Sequence, residues 1–216
     1  MGRDATEVVA LFAGAVGADH VVSGADAGDD YGHDEALTAV PQAPLAVVRP
    51  GTTDEVAAVA RLADEHRIPV TARGAGTGLS GACIPQPDGI VLAFDRMNRV
   101  VEVDEDNFVA VVEPGVRLDQ LDAELAPRGL VYPVFPGETS SSLGGNVATN
   151  AGGMRAVKYG VTRHQVLGVE AVLASGEVIR SGRRTFSATS RCRDSCTALK
   201  TVPMEPAPSR LRMRYP

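Results

Sequence analysis

The sequence predicts an α+β protein with two lobes, in which mixed β-sheets are flanked by helices. Two observations lead to this prediction. A strand–helix–strand unit occupies the region between residues 44 and 73, and short strand-like segments with turn-like connections follow it. The chain has 216 residues, of which 44% are hydrophobic, so it can bury a core in one large domain or two subdomains.

The first half of the chain predicts two helices and a β-α-β unit. An amphipathic helix is expected over Thr6–Val16, and "PLAVVRP" predicts a buried strand that stops at Pro50. The capping-box pattern "TTDE" and apolar residues on one face predict a helix from Thr53 to His66. The strand "IPVTAR" follows, with a right-handed crossover.

The second half predicts antiparallel strands, a helix and a hairpin. The strand candidates "GIVLAFD", "VVEVD" and "FVAVVEP" have short turn-like connections, so we expect them to be antiparallel neighbours. Leucines at 118, 121 and 125 predict a helix that ends at Pro127 and Gly129. The stretch "VLGVEAVLASGEVIRSG" predicts a hairpin with a turn at Ser175 and Gly176.

Composition argues against several classes of function. The net charge of −6 argues against nucleic-acid and anionic-membrane partners. We expect a cytoplasmic protein, because no run is long enough to span a bilayer and no signal-peptide pattern opens the chain. Three cysteines make no disulfide framework and lack the spacing of a zinc site, so no metal is expected.

A first glycine cluster, "RGAGTGLSGA", comes directly after a predicted strand. Repeated glycines indicate unusual dihedrals or the close approach of another group to the main chain. One interpretation is that backbone N–H groups of this run hold an anionic ligand such as a pyrophosphate. The other is that the run is a surface loop without a ligand. A Rossmann fingerprint and a Walker loop are both rejected, because the glycine spacing is wrong and no Gly-Lys-Ser/Thr closes the run.

A second cluster, "PGETSSSLGGNVATNAGG", combines hydroxyl and amide side chains with glycines. One interpretation is a helix of small residues packed tightly against a sheet. The other is a wall against which a large flat ligand lies, with small donors reaching its polar atoms. The residues alone leave both interpretations open.

Four stretches in order carry a resemblance to a known family. They are "VVRPGTTDEVAAVARLADEHRIPVTARGAGTGLSG", "VEPGV", "PVFPGETSSSLGGNVATNAGGMRAVKYG" and "VLGVEAVLASGEV". Together they resemble the FAD-binding domain of the vanillyl-alcohol oxidase or PCMH type, and within it the D-lactate dehydrogenase and glycolate oxidase FAD-subunit branch. The resemblance covers Pro44–Gly182 and implies an FAD-binding domain there, after an N-terminal extension over residues 1–43.

The resemblance implies FAD as cofactor and a 2-hydroxy acid as the substrate of complete relatives. The first cluster then wraps the FAD pyrophosphate, and the second lies beside the flavin ring and ribityl chain. Some relatives tether FAD covalently through a histidine at the position of Thr77. Because no histidine or cysteine lies between Arg73 and Gly81, we expect non-covalent FAD here. Arg73 has an alternative role as a structural residue that caps the strand or pairs with a carboxylate. The implied cofactor-binding residues are Arg73, Gly74, Ala75, Gly76, Thr77, Gly78, Ser80, Gly81, Pro136, Gly137, Thr139, Ser142, Gly144, Gly145, Asn146, Thr149, Asn150, Gly152 and Gly153.

No catalytic residue is assigned, because in the family the substrate ligands lie in a cap domain further along the chain. His20, His33 and His66 are expected to have no catalytic role, whereas His164 can approach the flavin. An alternative function is a non-catalytic FAD-binding module or a partner subunit.

Residues 183–216 differ in character from the rest of the chain. They carry 8 basic and 2 acidic side chains, a net charge of +6, whereas residues 1–182 carry −12. Their composition predicts an unstructured tail, in place of the Gly-Ser-Glu-Gly segment, further strand and cap domain of the family. Codons for Asp194–Lys200, read two bases later, can encode Leu-Leu-Tyr-Gly-Ser-Glu, so we hypothesise out-of-frame translation. An open sheet edge and an incomplete, catalytically silent domain are expected.

Overall fold

The structure is a computed structural model that describes residues 3–182, 200–203 and 205–206, the last two ranges by their backbone alone. The helices are α1 Ala5–Val16, α2 Thr53–Glu65, α3 Leu118–Leu125, α4 Leu143–Ala148 and α5 Ala156–Tyr159. The strands are β1 Val21–Ser23, β2 Ala46–Val48, β3 Val70–Arg73, β4 Ile90–Ala93, β5 Val100–Asp104, β6 Val109–Val112, β7 Leu130–Val131, β8 Gly168–Val172, β9 Val178–Gly182, β10 Lys200–Pro203 and β11 Glu205–Pro206.

The first lobe is a four-stranded sheet in the order β1-β2-β4-β3. Strands β2 and β3 both pair in parallel with β4, so the predicted β-α-β unit is present with one strand inserted between its two strands. All residues of β2 and β4 are buried, as expected for short apolar strands inside a parallel sheet. Helices α1 and α2 close the core, in which Phe12, Val59 and Ile90 are fully buried.

The prediction that β4 and β5 are antiparallel neighbours is wrong. Strand β4 belongs to the first lobe, whereas β5 pairs with β6 in a second sheet. The connection between them is anchored rather than a free hairpin turn, because Met97 is fully buried and the Arg96 guanidinium donates to the Arg49 carbonyl oxygen at 2.8 Å. The short polar connection therefore carries the chain from one sheet to the other.

The second lobe is a five-stranded sheet in the order β5-β6-β10-β8-β9, with every neighbouring pair antiparallel. The predicted hairpin is present as β8 and β9. Helix α3 covers this sheet through Leu118, Leu121 and Leu125, all buried, as their spacing predicts. The helix stops where Pro127 forms a 3-10 turn and Gly129 adopts a left-handed conformation with φ of 67°.

Six residues of the tail depart from the predicted lack of structure. Strand β10 pairs with both β6 and β8, and β11 pairs with β7. Without β10, the facing edges of β6 and β8 would leave backbone N–H and C=O groups unpaired. A strand between them supplies hydrogen-bond partners for these groups. The expected open edge is therefore filled at this position. The other residues of 183–216 lie outside the described part of the chain.

Helix α2 of the first lobe docks on the hairpin of the second lobe. The Thr53 hydroxyl donates to Glu170 Oε1 at 2.8 Å, and Arg180 Nε donates to Glu170 Oε2 at 2.5 Å. The Arg61 guanidinium donates to the Gly176 carbonyl oxygen at 3.3 Å. These contacts fix the two lobes on either side of a cleft. Among the described residues, no helix is both long and apolar enough to cross a membrane.

Candidate functional site

The first glycine cluster forms a loop, residues 74–81, that begins where β3 ends. Gly76 has a φ of 75°, so the predicted unusual dihedral is present. Within the described residues, no acceptor bonds the backbone N–H groups of Gly76, Thr77 and Gly78. The loop is only partly buried, and it therefore presents free donors of the kind that bind anions.

The loop meets the second glycine cluster at Ser142. The Ser142 Oγ accepts hydrogen bonds from the backbone N–H of Ala75 and of Gly145, each at 3.3 Å. The second bond caps the N-terminus of α4. A Cβ atom on Gly74 would overlap Ser142 Oγ, so only glycine allows this approach. Two clusters separated by about sixty residues in the sequence thus come into direct contact in the fold.

The second cluster contains the short helix α4, in agreement with the interpretation as a packed helix of small residues. The Gly144 N–H donates to the Pro114 carbonyl oxygen at 2.7 Å, and a Cβ on Gly144 would lie 2.6 Å from that oxygen. The "VEPGV" segment after β6 therefore abuts α4 directly. This packing does not exclude a ligand, because Gly144 and Gly145 of α4 also border a cavity.

A cavity of about 830 Å³ lies between the two lobes. Both glycine clusters contribute to its wall through Gly74, Gly144 and Gly145. Its volume is in the range of small-molecule and cofactor sites. The rest of the wall is mainly apolar and includes Val56, Ala60, Leu92, Phe94, Met97 and Val172.

Arg73 lies beneath the glycine loop. Its side chain is buried, donates to the His33 carbonyl oxygen at 2.5 Å and lies 5.6 Å from the centre of the Tyr31 ring. A Cβ on Gly76 would overlap its guanidinium group. Arg73 also lines the cavity, so its structural role and its cofactor-binding role both stay predictions.

Two further predicted residues bond to neighbours within the cluster. Asn146 is buried, and its amide donates to Ser141 Oγ at 3.2 Å. The Thr149 hydroxyl donates to the Gly145 carbonyl oxygen at 2.9 Å, at the end of α4. Both side chains stabilise the shape of the helix.

The end of the second cluster packs against other loops. Asn150 has a φ of 50°, and its Oδ1 accepts from the Arg163 N–H at 3.0 Å. Cβ atoms on Gly152 and Gly153 would collide with Val161 and with the Phe135 carbonyl oxygen. His164 Nδ1 accepts from the Val161 N–H at 3.2 Å. None of these residues lines the cavity, and neither do Thr77, Ser80, Gly81, Pro136, Gly137 and Thr139.

Sequence reasoning missed the cavity wall formed by α2 and β8. The apolar face of α2 includes Val56, Ala60 and Ala63, and this face both packs in the core and lines the cavity. Glu170 also lines it, beside Thr53. A carboxylate inside the apolar strand "GVEAV" was the signal that could have identified this wall.

Comparison with known proteins assigns residues 44–182 to a family model described as an FAD binding domain. The chain is 56% identical over 179 residues to an FAD-linked oxidoreductase of Mycobacterium tuberculosis. This match covers 83% of the chain and 39% of the relative. It is 43% identical over 170 residues to a D-lactate dehydrogenase of Anaerostipes hadrus, covering 79% and 36%.

The fold is also that of a solved structure. Substrate-bound p-cresol methylhydroxylase superposes with a TM-score of 0.78 at 22% identity, over 95% of this chain and 44% of that one. The PCMH-type fold expected from the sequence is thereby confirmed. The chain spans less than two fifths of the length of the curated relatives described here.

Proposed function

The chain belongs to the family of FAD-binding domains, and we propose that it is the FAD-binding part of a flavin-dependent 2-hydroxyacid oxidoreductase. The observation that carries the proposal is the contact between Ala75 and Ser142, which joins two glycine clusters into one site beside a cavity. The similarity to a D-lactate dehydrogenase supports a 2-hydroxy acid as the substrate class. A cytoplasmic location and the absence of a nucleic-acid partner are part of the same proposal.

The residues present fit FAD. Free backbone donors at Gly76, Thr77 and Gly78 suit the charge and the number of oxygens of a pyrophosphate. Gly74, two residues before the first of these donors, lines the cavity, and the mainly apolar wall of the cavity suits an aromatic ring. We assign the phosphates to the loop and an apolar part of the cofactor to the cavity.

When bound, FAD supplies the acceptor for the hydride that leaves the α-carbon of the substrate. This chain contributes binding and orientation: Ser142 holds the loop against α4, and α2 with β8 forms part of the mainly apolar wall of the cleft. We propose non-covalent attachment, because the stretch from Arg73 to Gly81 contains no histidine or cysteine. No residue of the chain is assigned as catalytic base.

A second candidate is a non-catalytic FAD-binding module or a partner subunit that needs another chain. The observation that favours it is the wall of the cavity, which is mainly apolar and suits a ring better than a charged hydroxy acid. A domain of this kind can bind the cofactor without holding a substrate against it.

The two candidates are separated by an anaerobic reduction experiment. The purified protein, saturated with FAD, is mixed with D-lactate or glycolate, and the flavin absorbance is followed. Bleaching, for which a single slow reduction of the bound flavin suffices, identifies the oxidoreductase, whereas a spectrum that stays unchanged on prolonged incubation identifies the binding module. A protein that stays colourless after refolding with FAD contradicts both.

A further inference from the structure

A segment outside the matched domain holds the outer side of the glycine loop. This segment, Tyr31–Glu35, precedes residue 44, where the family match begins. The Glu35 N–H donates to the Gly78 carbonyl oxygen at 2.8 Å. The loop is therefore enclosed, with Ser142 on one side and this segment on the other.

Asp34 ties the segment to the chain just beyond the loop and lies close to the loop itself. It is 7% exposed, and its Oδ1 accepts from the Ala36 N–H at 3.0 Å. Its Oδ2 lies 3.5 Å from the backbone nitrogen of Cys83, which donates to it, and 3.4 Å from the place of a Cβ on Gly78. The carboxylate thus spans the chain from Gly78 to just beyond the end of the loop.

Arg73 makes the second connection. Its guanidinium donates to the His33 carbonyl oxygen and lies against the Tyr31 ring. It also occupies the place that a Cβ on Gly76 would need. The Tyr31 hydroxyl in turn donates to Asp95 Oδ2 at 2.9 Å, after β4. Both the segment and the loop are therefore anchored on the first lobe.

The loop needs such external support because its central N–H groups make no hydrogen bonds within the described residues. A loop of this kind has many alternative conformations, and ordering it at the moment of binding reduces affinity. Contacts that hold it in one shape beforehand lower that cost.

We propose that Tyr31–Glu35 acts as a clamp on the FAD loop, and that Asp34 and Arg73 are positioning residues. They hold the N–H groups of Gly76 to Gly78 in the binding conformation before FAD arrives. The inference rests on the proposed function in that it assigns the FAD phosphates to this loop.

The test compares Asp34→Ala and Asp34→Asn with two controls. Asp26→Ala removes a carboxylate in the same N-terminal region. This carboxylate accepts a hydrogen bond from Ser23 Oγ and none from the loop. Phe12→Leu weakens the core of the first lobe at a fully buried position away from the loop. Two quantities are measured on the 216-residue chain: the FAD dissociation constant from flavin fluorescence, and the rate of chymotrypsin cleavage after exposed Leu79 in FAD-free protein.

Asp34→Ala is expected to weaken FAD binding about tenfold and to accelerate cleavage after Leu79 several-fold, because the loop loses its preorganisation. Asp34→Asn keeps one oxygen acceptor and is expected to lie between it and the wild type. Asp26→Ala should match the wild type in both quantities. Phe12→Leu should lower the melting temperature with little change in FAD affinity.

The clamp is contradicted if cleavage after Leu79 is as slow in Asp34→Ala as in the wild type. It is also contradicted if Asp34→Ala binds FAD as tightly as the wild type. A wild-type chain that binds no FAD overturns the proposed function instead, while the cleavage rates still decide whether the segment holds the loop.

Discussion

At the scale of single residues, Ser142 links the two glycine clusters and caps α4. Ser142→Ala removes the acceptor for Ala75 and for Gly145, and the lost cap alone costs about 1 kcal/mol of folding free energy. We expect FAD binding to weaken in addition, because the loop is no longer tied to α4. Denaturant unfolding and FAD titration measure the two effects. Ser175→Ala, which affects a hairpin turn away from the site, is the control and should change neither.

The φ of Gly76 makes it the most sensitive position of the loop. Gly76→Val forces a β-branched residue into a left-handed conformation and drives its Cβ into the Arg73 guanidinium. We expect the protein to lose its bound FAD and the free energy of unfolding to fall by about 1–3 kcal/mol. Gly129→Val is the matched control, since Gly129 has a φ of 67° with open space around it in the other lobe. A control that loses FAD to the same extent would show that strain alone is responsible.

Cys83 follows the loop and offers a test by pH. Burial raises the pKa of its thiol, and Asp34 adds to the rise against the opposing effect of Arg73. A raised pKa means less thiolate at a given pH, so iodoacetamide should modify Cys83 more slowly than a cysteine peptide at pH 8. The difference should shrink as the pH rises above the raised pKa. Peptide mass spectrometry measures the rate, and an equal rate at pH 8 contradicts a raised pKa of this partly buried thiol.

At the scale of elements, local patterns predicted helices well and strand partners less well. The N-terminus of α2 follows from its cap, since Thr52 Oγ1 accepts from the Glu55 N–H at 3.2 Å. The Glu55 side chain accepts from Gly51 at 2.6 Å, one residue before the position that a capping box requires. Pairing between strands depends on contacts between distant residues, which is why β4 was assigned to the wrong sheet.

The same limit explains what was missed at the site. Glycines in the loop were found from their spacing, whereas the cavity wall on α2 and β8 forms only when the lobes meet. Sequence also gave no sign that Tyr31–Glu35 lies against the loop, because the segment is about forty residues away along the chain.

The contact between α2 and β8 carries a prediction of its own. Glu170→Gln removes a buried charge that pairs with Arg180 and accepts from Thr53. We expect a loss of about 1–3 kcal/mol, because a buried group is left poorly paired between the lobes. Urea unfolding measures it, with Glu177→Gln in the exposed turn of the same hairpin as the control. A Glu170→Gln protein as stable as the control would exclude this residue as a link between lobes.

At the scale of the whole molecule, we expect the 216-residue chain to show little or no steady-state turnover by itself. A substrate must be held against the flavin within about 1 Å of the reactive geometry, and the chain matches only 39% of the oxidoreductase from M. tuberculosis. A steady-state assay with D-lactate, glycolate or D-2-hydroxyglutarate and a dye acceptor tests this. Robust turnover would show that the substrate site lies within this chain.

The central claim is that the two glycine clusters together form an FAD site, and titration of FAD-free protein with FAD tests it most directly. We predict a saturable one-to-one change in flavin fluorescence that is lost in Gly76→Val and kept in Gly129→Val. Binding of equal strength in Gly76→Val and the wild type, or no binding by the wild type at any FAD concentration, would contradict the claim.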